Sequence, residues 1–202
     1  MNNKLKAFTL GEVLVTLLIV GVIAAMLIPT LKNIQPDRQK LMFKKAYTTV
    51  ERIVTELVND DYLYSETDDA VGLDNTNTVD VNGNDYGGDT KFCRLFAMKV
   101  NVVDDAAIRC PGTPGGSGTF GTPSFTTTDN VAFFIPSSTF GTAAKITVDT
   151  NGDKEPNCKY NATSCNKPDI FEIFVEADGG IYVNGTLEKQ YLKDTNITRE
   201  LR

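Results

Sequence analysis

The sequence predicts an α+β protein, in which one long N-terminal helix, apolar in its first half and amphipathic in its second, is followed by a small antiparallel sheet. Three observations predict this. Nineteen residues from Val13 to Leu31 carry no charge. From Asp37 onward, apolar residues recur at three- and four-residue spacing, the period of one helix face. After residue 130, four runs rich in Val, Ile and Phe are separated by turn residues, as strands are.

The first element is a leader. Residues 1–7, Met-Asn-Asn-Lys-Leu-Lys-Ala, are short and basic, and the uncharged run that follows would be about 28 Å long as a helix, close to the roughly 30 Å core of a bilayer. The run is long enough to span. Lys4 and Lys6 would keep the leader cytoplasmic and send the rest of the chain across the membrane. The amphipathic stretch continues the helix, with Phe43, Ala46, Tyr47, Val50, Ile53, Val54 and Leu57 on one face and Lys40, Lys44, Lys45, Glu51, Arg52 and Glu56 elsewhere. Together residues 8–58 read as one helix of about 75 Å, interrupted or bent at Pro29 and at Pro36. The expected organisation is a leader over 1–7, a transmembrane and polymerisation helix over 8–31, and a globular head over 32–202 that includes the amphipathic helix 37–58.

From Asn59 to Thr90 the chain holds nine acidic and no basic residues, which reads as a long surface excursion. Residues 112–123, rich in Gly, Thr and Pro, read as a second loop, because no Lys-Ser/Thr follows the glycines to cradle a phosphate. Strands are expected at Val131–Ile135, Ala144–Asp149, Ile170–Glu176 and Ile181–Asn184, the last two joined by the tight turn Ala177-Asp178-Gly179-Gly180 into an antiparallel hairpin. Phe133, Phe134, Phe171 and Phe174 are expected in the core beneath this sheet.

Composition excludes several functions. The formal charge is −6, and removal of the leader lysines takes it to −8, so nucleic acid is not an expected partner of the head. There is no histidine, which rules out Ser-His-Asp and Cys-His catalysis by this chain. The pairs Asp60-Asp61, Asp68-Asp69 and Asp104-Asp105 would be needed for an acid-base hydrolase, but they fall in solvated loops. No catalytic residue is expected. The triplets at Asn161, Asn184 and Asn196 match a glycosylation acceptor and are assigned no role.

Four cysteines, at 93, 110, 158 and 165, make an even count with no Cys-x-x-C pair, which fits disulfides and an oxidising compartment. Three connectivities are open to four cysteines. Loop closure favours near partners, hence Cys93–Cys110 and Cys158–Cys165. One segment offers a ligand set: Asp149, Asn151, Asp153 and Glu155 place oxygen-bearing side chains at alternate positions around Gly152, as calcium sites do. It departs from an EF-hand loop, since Gly152 comes two positions early and Tyr160 stands where the bidentate glutamate belongs. The other reading is a solvated Asn-Gly turn with no metal.

Glu12 is a lone carboxylate at the start of the apolar run, an expensive place for an unpaired charge. Cleavage between Ala7 and Phe8 would create an amine four residues before it, and the two could pair between neighbouring chains. Lys6-Ala7-Phe8-Thr9-Leu10-Gly11-Glu12, followed by Val13-Leu14-Val15-Thr16-Leu17-Leu18-Ile19-Val20, resembles the N-terminal signal of type IV pilins and type II secretion pseudopilins. The match covers roughly residues 4–58. It departs from the pattern at Ala7, where glycine is usual.

The resemblance implies a pilin-like fold, with the sheet packed over the second half of the long helix. It implies a structural subunit, cleaved by a prepilin peptidase that also N-methylates Phe8, aligned by Glu12 and loosened at Gly21 and Pro29 on assembly. Its implied partners are identical or related subunits, an inner-membrane assembly platform and the lipid bilayer. The implied location is the bacterial inner membrane, crossed once with the head outside the cytoplasm, and then a periplasm- or surface-spanning filament. Calcium in a nearby loop is known among pseudopilins. Secretion is slightly preferred over a surface pilus or a DNA-uptake system. The alternative is a membrane-tethered binding module that keeps its N terminus and does not polymerise.

Overall fold

The structure is a computed structural model that describes residues 9–34, 37–65, 70–116, 118–137, 140, 143–160, 162 and 165–193, with the side chains of 27–34 outside that set. It divides into two units, Met1–Arg38 and Gln39–Arg202.

The first unit holds α1, Leu10–Ile34. The second helix, α2, spans Arg38–Val58. The expected single helix over 8–58 is therefore corrected to two, and the pilin-like description of one long helix laid against a small sheet does not apply. The interval between them contains Pro36, a residue whose missing N–H and ring disfavour a continuing helix; residues 35 and 36 themselves lie outside the described residues.

The membrane reading is corrected as well. Among the described residues, no helix is long and apolar enough to cross a membrane. The described side chains of α1 end at Met26 and include the charged Glu12 in the first turn. From Leu10 to Met26 they cover about 26 Å at 1.5 Å per residue, less than a roughly 30 Å hydrocarbon core. A single pass through an inner membrane does not stand on this structure.

The second unit is built on α2 and a five-stranded antiparallel sheet with each strand beside its neighbour in sequence. The strands are β3, Phe125–Thr126; β4, Ala132–Phe134; β5, Ala144–Asp149; β6, Ile170–Val175; and β7, Ile181–Tyr182. Alternation sorts their side chains. In β6, Phe171, Ile173 and Val175 are buried while Glu172 and Phe174 are half-buried, and the register sets Ile146 opposite Ile173 and Val148 opposite Phe171. Phe174 is thus not core as expected; its ring stacks on Tyr182, centroids 5.3 Å apart.

The buried stripe of α2 (Phe43, Ala46, Val50, Ile53, Val54 and Leu57) joins these inner-face residues in one hydrophobic cluster. Phe43 meets Phe171 with ring centroids 4.6 Å apart. Fully burying one such side chain stabilises by about 1.5–3 kcal/mol, so this stripe is what holds α2 to the sheet. Tyr47, expected on the stripe, is half-buried at its edge.

Three features were not expected, the first of them inside the supposed acidic excursion. Residues 79–86 form a hairpin of β1, Val79–Val81, and β2, Asn84–Tyr86, closed by Asn82 and Gly83, both at positive φ. Asn-Gly favours that turn. An eight-residue helix, α3, runs over Lys91–Met98 and buries Phe92, Leu95 and Phe96. Another, α4, runs over Thr186–Lys193.

Candidate functional site

Two places carry the residues singled out by the sequence. At the start of α1, the Glu12 carboxylate accepts hydrogen bonds from the Thr9 backbone N–H at 2.8 Å and from the Thr9 hydroxyl at 2.9 Å. In return, the Glu12 N–H donates to Thr9 Oγ1 at 3.3 Å. This is a capping box, Thr-x-x-Glu, which satisfies helix N–H groups that have no partner within the helix. The signature is plain in Thr9-Leu10-Gly11-Glu12, and it gives Glu12 a local structural task besides any pairing with an amine.

Beyond the cap, every described side chain of α1 is exposed, among them Leu14, Leu17, Leu18 and Ile23. A Cβ added at Gly21 would touch nothing within 4 Å. Pro29 lies within the helix range, but its side chain is outside the described residues. Ala7 and Phe8, the cleavage pair, are also outside them.

The second place is the turn from β5 to β6. Asp149, the last residue of β5, is fully buried, and its Oδ1 accepts the Asn151 N–H at 3.1 Å. Asn151 in turn sends its amide N–H to Asp169 Oδ2 at 3.0 Å. The same Oδ2 accepts the Asn157 backbone N–H at 3.0 Å, and Asp169 Oδ1 accepts the Cys158 N–H at 2.8 Å. Asp169 is itself fully buried and its backbone carbonyl takes both Thr150 donors. Two carboxylates therefore sit inside the turn, joined through Asn151.

Backbone geometry shapes this enclosure. Gly152 has φ +70°, and a Cβ there would come within 2.6 Å of Asn130 Nδ2, whose amide donates to the Asn151 carbonyl. Only glycine meets both demands. Asn157 also has positive φ, tolerable for asparagine. The Cys158–Cys165 disulfide closes the far side, and Cys93–Cys110 bonds α3 to the segment that follows it, so both near-neighbour pairs form.

The electrostatics are unbalanced. Burial pushes the Asp149 carboxyl up to about 7, with the Asp169 and Asp153 charges adding to the rise and the Asn151 and Gly152 backbone N–H groups opposing it. Three buried side-chain oxygens here, Asp149 Oδ2, Asn151 Oδ1 and Asn157 Oδ1, have no hydrogen-bond partner among the described residues. Buried polar atoms are usually paired.

The predicted calcium ligands divide accordingly. Asp149 and Asn151 are inside, whereas the side chains of Asp153 and Glu155 are exposed and Glu155 joins only through its backbone carbonyl, which accepts from the Asn151 amide at 3.4 Å, so the set of four is not brought together. Among the described residues, no three His, Cys, Asp or Glu side chains are placed to hold a metal; the oxygens gathered here are two carboxylates and two amides. Asn157 and Asp169 were missed because they lie beyond the alternating pattern of 149–155.

Of the acidic pairs, Asp60 and Asp104 cap turns. Asp60 Oδ1 accepts the Tyr62 and Leu63 N–H groups, and Asp104 Oδ1 accepts that of Ala106. Asp68 and Asp69 are outside the described residues. Compared with known proteins, the chain matches no family model, no curated protein and no solved structure.

Proposed function

We propose that this chain is a structural subunit of a type II secretion pseudopilus or type IV pilus-like filament, cleaved before Phe8, methylated on the new amine and assembled through α1 with identical or related subunits. The observation that carries the reading is α1 itself. It is apolar on every face from Val13 to Met26, and none of its described side chains is covered. A helix hydrophobic all round is one that is buried in its working state. Copies of the same helix, bundled at a filament axis, would bury it, and the single carboxylate of Glu12 would then need the amine that cleavage creates on a neighbour.

The capping box makes a sharper test possible than alanine substitution. Glu12→Gln keeps an N3 side chain that can complete the box but removes the charge. In cells with an active prepilin peptidase, intact mass should show a chain beginning at methylated Phe8. Filament yield should fall in E12Q while purified E12Q keeps its helix content. Wild-type yield in E12Q would reduce Glu12 to a cap, and an intact N terminus with no polymer would leave a monomeric binding module instead.

A further inference from the structure

The sequence holds three Asn-Gly pairs, Asn82-Gly83, Asn151-Gly152 and Asn184-Gly185, and the structure makes them unequal. Such a pair can rearrange on itself, because the backbone nitrogen of a glycine, with no side chain to hinder it, can approach the amide carbon of the asparagine before it. The approach requires the peptide to swing. In the turn between β5 and β6 it is held: the Asn151 amide is bonded to Asp169 Oδ2 at 3.0 Å and to the Glu155 carbonyl at 3.4 Å, and Gly152 is buried against Asn130. At Asn184 the glycine is engaged as well, since Gly185 packs against Glu188 and its carbonyl accepts the Lys189 N–H at 3.1 Å to start α4.

Asn82 and Gly83 are both exposed, and nothing lies within 4 Å of a Cβ built on Gly83. Their hairpin is also weak. Strands β1 and β2 pair over three residues each, and the central pair of the register sets Asp80 directly opposite Asp85, two like charges that destabilise a ladder. A short segment of this kind opens at small free-energy cost. One contact in it is chemically placed: the Gly83 N–H, the group that must lose its proton to react, donates to Asp80 Oδ1 at 3.1 Å.

We propose that Asn82 is a self-modification site that converts to aspartate and isoaspartate as the chain ages, with Asp80 as the proton acceptor. The Gly83 nitrogen forms a bond to Asn82 Cγ as its proton passes to Asp80; the Cγ–Nδ2 bond then breaks, and the amide nitrogen takes that proton and leaves as ammonia. Water opens the resulting cyclic imide at either carbonyl. Opening at one restores the normal backbone with an aspartate side chain, whereas opening at the other routes the main chain through Cβ, one atom longer, as isoaspartate. Either product places a third carboxylate beside Asp80 and Asp85, and the longer backbone no longer fits a two-residue turn with both residues at positive φ. The conversion is a one-way release of the β1–β2 hairpin.

The test is incubation of the purified full-length chain at mildly alkaline pH, followed by peptide mapping and by enzymatic methylation of isoaspartate. The peptide holding Asn82 should gain the mass difference between an amide and an acid ahead of that holding Asn184, and at least about tenfold faster than that holding Asn151, a ratio equivalent to about 1.4 kcal/mol. In denaturant the three should convert at similar rates, because each has the same glycine neighbour. Asp80→Asn should slow conversion in the folded chain. After incubation, amide exchange across residues 79–86 should speed up in the wild type and stay slow in Asn82→Gly, which suits the positive φ of that position and has no amide to lose. The proposal is overturned if Asn151 or Asn184 converts first in the folded chain, or if Asn82 stays an amide while the denatured chain converts. It is overturned equally if Asp80→Asn converts as fast as the wild type or faster, or if hairpin exchange is unchanged once Asn82 has converted.

Discussion

Helices α1 and α2 follow one another in sequence yet meet opposite needs. In α2, apolar residues occupy one stripe and six of them are at most 2% exposed against the sheet and its neighbours. In α1 they occupy every face, and Leu14 and Leu18 are 61% and 69% exposed. The comparison teaches that a striped helix finishes its burial within its own chain, while an all-round apolar helix must find its cover elsewhere. Substitutions in α2 should therefore register as lost stability, and those in α1 as lost assembly.

The largest effect should come from Phe43→Ala. It removes a fully buried ring that contacts Phe171, Tyr47 and Tyr191, and should destabilise the second unit by about 3–5 kcal/mol in chemical denaturation. A loss below about 1 kcal/mol would mean that α2 is not held by its stripe.

Next is the staple. Replacing both Cys93 and Cys110 by Ala opens a loop with a sequence separation of 17 and should cost about 2–4 kcal/mol, visible as a lower midpoint for the second unit. The N-terminal sequence and helix α1 should be indifferent to it, so any change in processing before Phe8 would argue that the regions are not independent.

A smaller effect concerns pH. Burial alone would raise the Glu172 carboxyl, but hydrogen bonds and charge from Lys159 and Lys145 outweigh it and hold the group below its ordinary value. A depressed carboxylate contributes stability that is present above the unfolded value near 4.5 and is lost as pH falls through and below it. Glu172→Gln should therefore lower stability by no more than about 1 kcal/mol at neutral pH and flatten the acid limb of the stability profile. An unchanged acid limb would show that the two lysines do not hold the charge.

The smallest effect on folding should come from Leu18→Ser in α1: no measurable shift in the midpoint of the second unit, with a marked loss of filament yield. A stability loss comparable to that of Phe43→Ala would erase the contrast between the helices.

Much of this was legible before any coordinates. The α2 stripe follows from spacing alone, because a helix returns to the same face every three to four residues. Strand β5 was expected and found over Ala144–Asp149, bounded by turn residues on both sides. The Asn82-Gly83 hairpin and the Thr9/Glu12 capping box are also readable, since both are short local signatures, but a long acidic stretch and an uncharged run surround them and dominate the local pattern. Helices α3 and α4 were harder: eight residues give a periodic pattern barely two turns in which to appear.

What the sequence by itself determined is whatever depends on neighbours in the chain: the stripe of α2, the β6–β7 hairpin, and the preference among three connectivities for near-neighbour disulfides, where a short loop closes at small entropic cost. What only the tertiary structure decided is which oxygens share an interior. Asp153 and Glu155 stand beside Asp149 in sequence and turn outward, while Asp169 enters from the next strand because antiparallel pairing sets Asp149 opposite Ile170. Burial is a property of the folded surface and not of sequence distance, so the carboxylate that matters to Asp149 lies twenty residues away, brought there by the register of two strands.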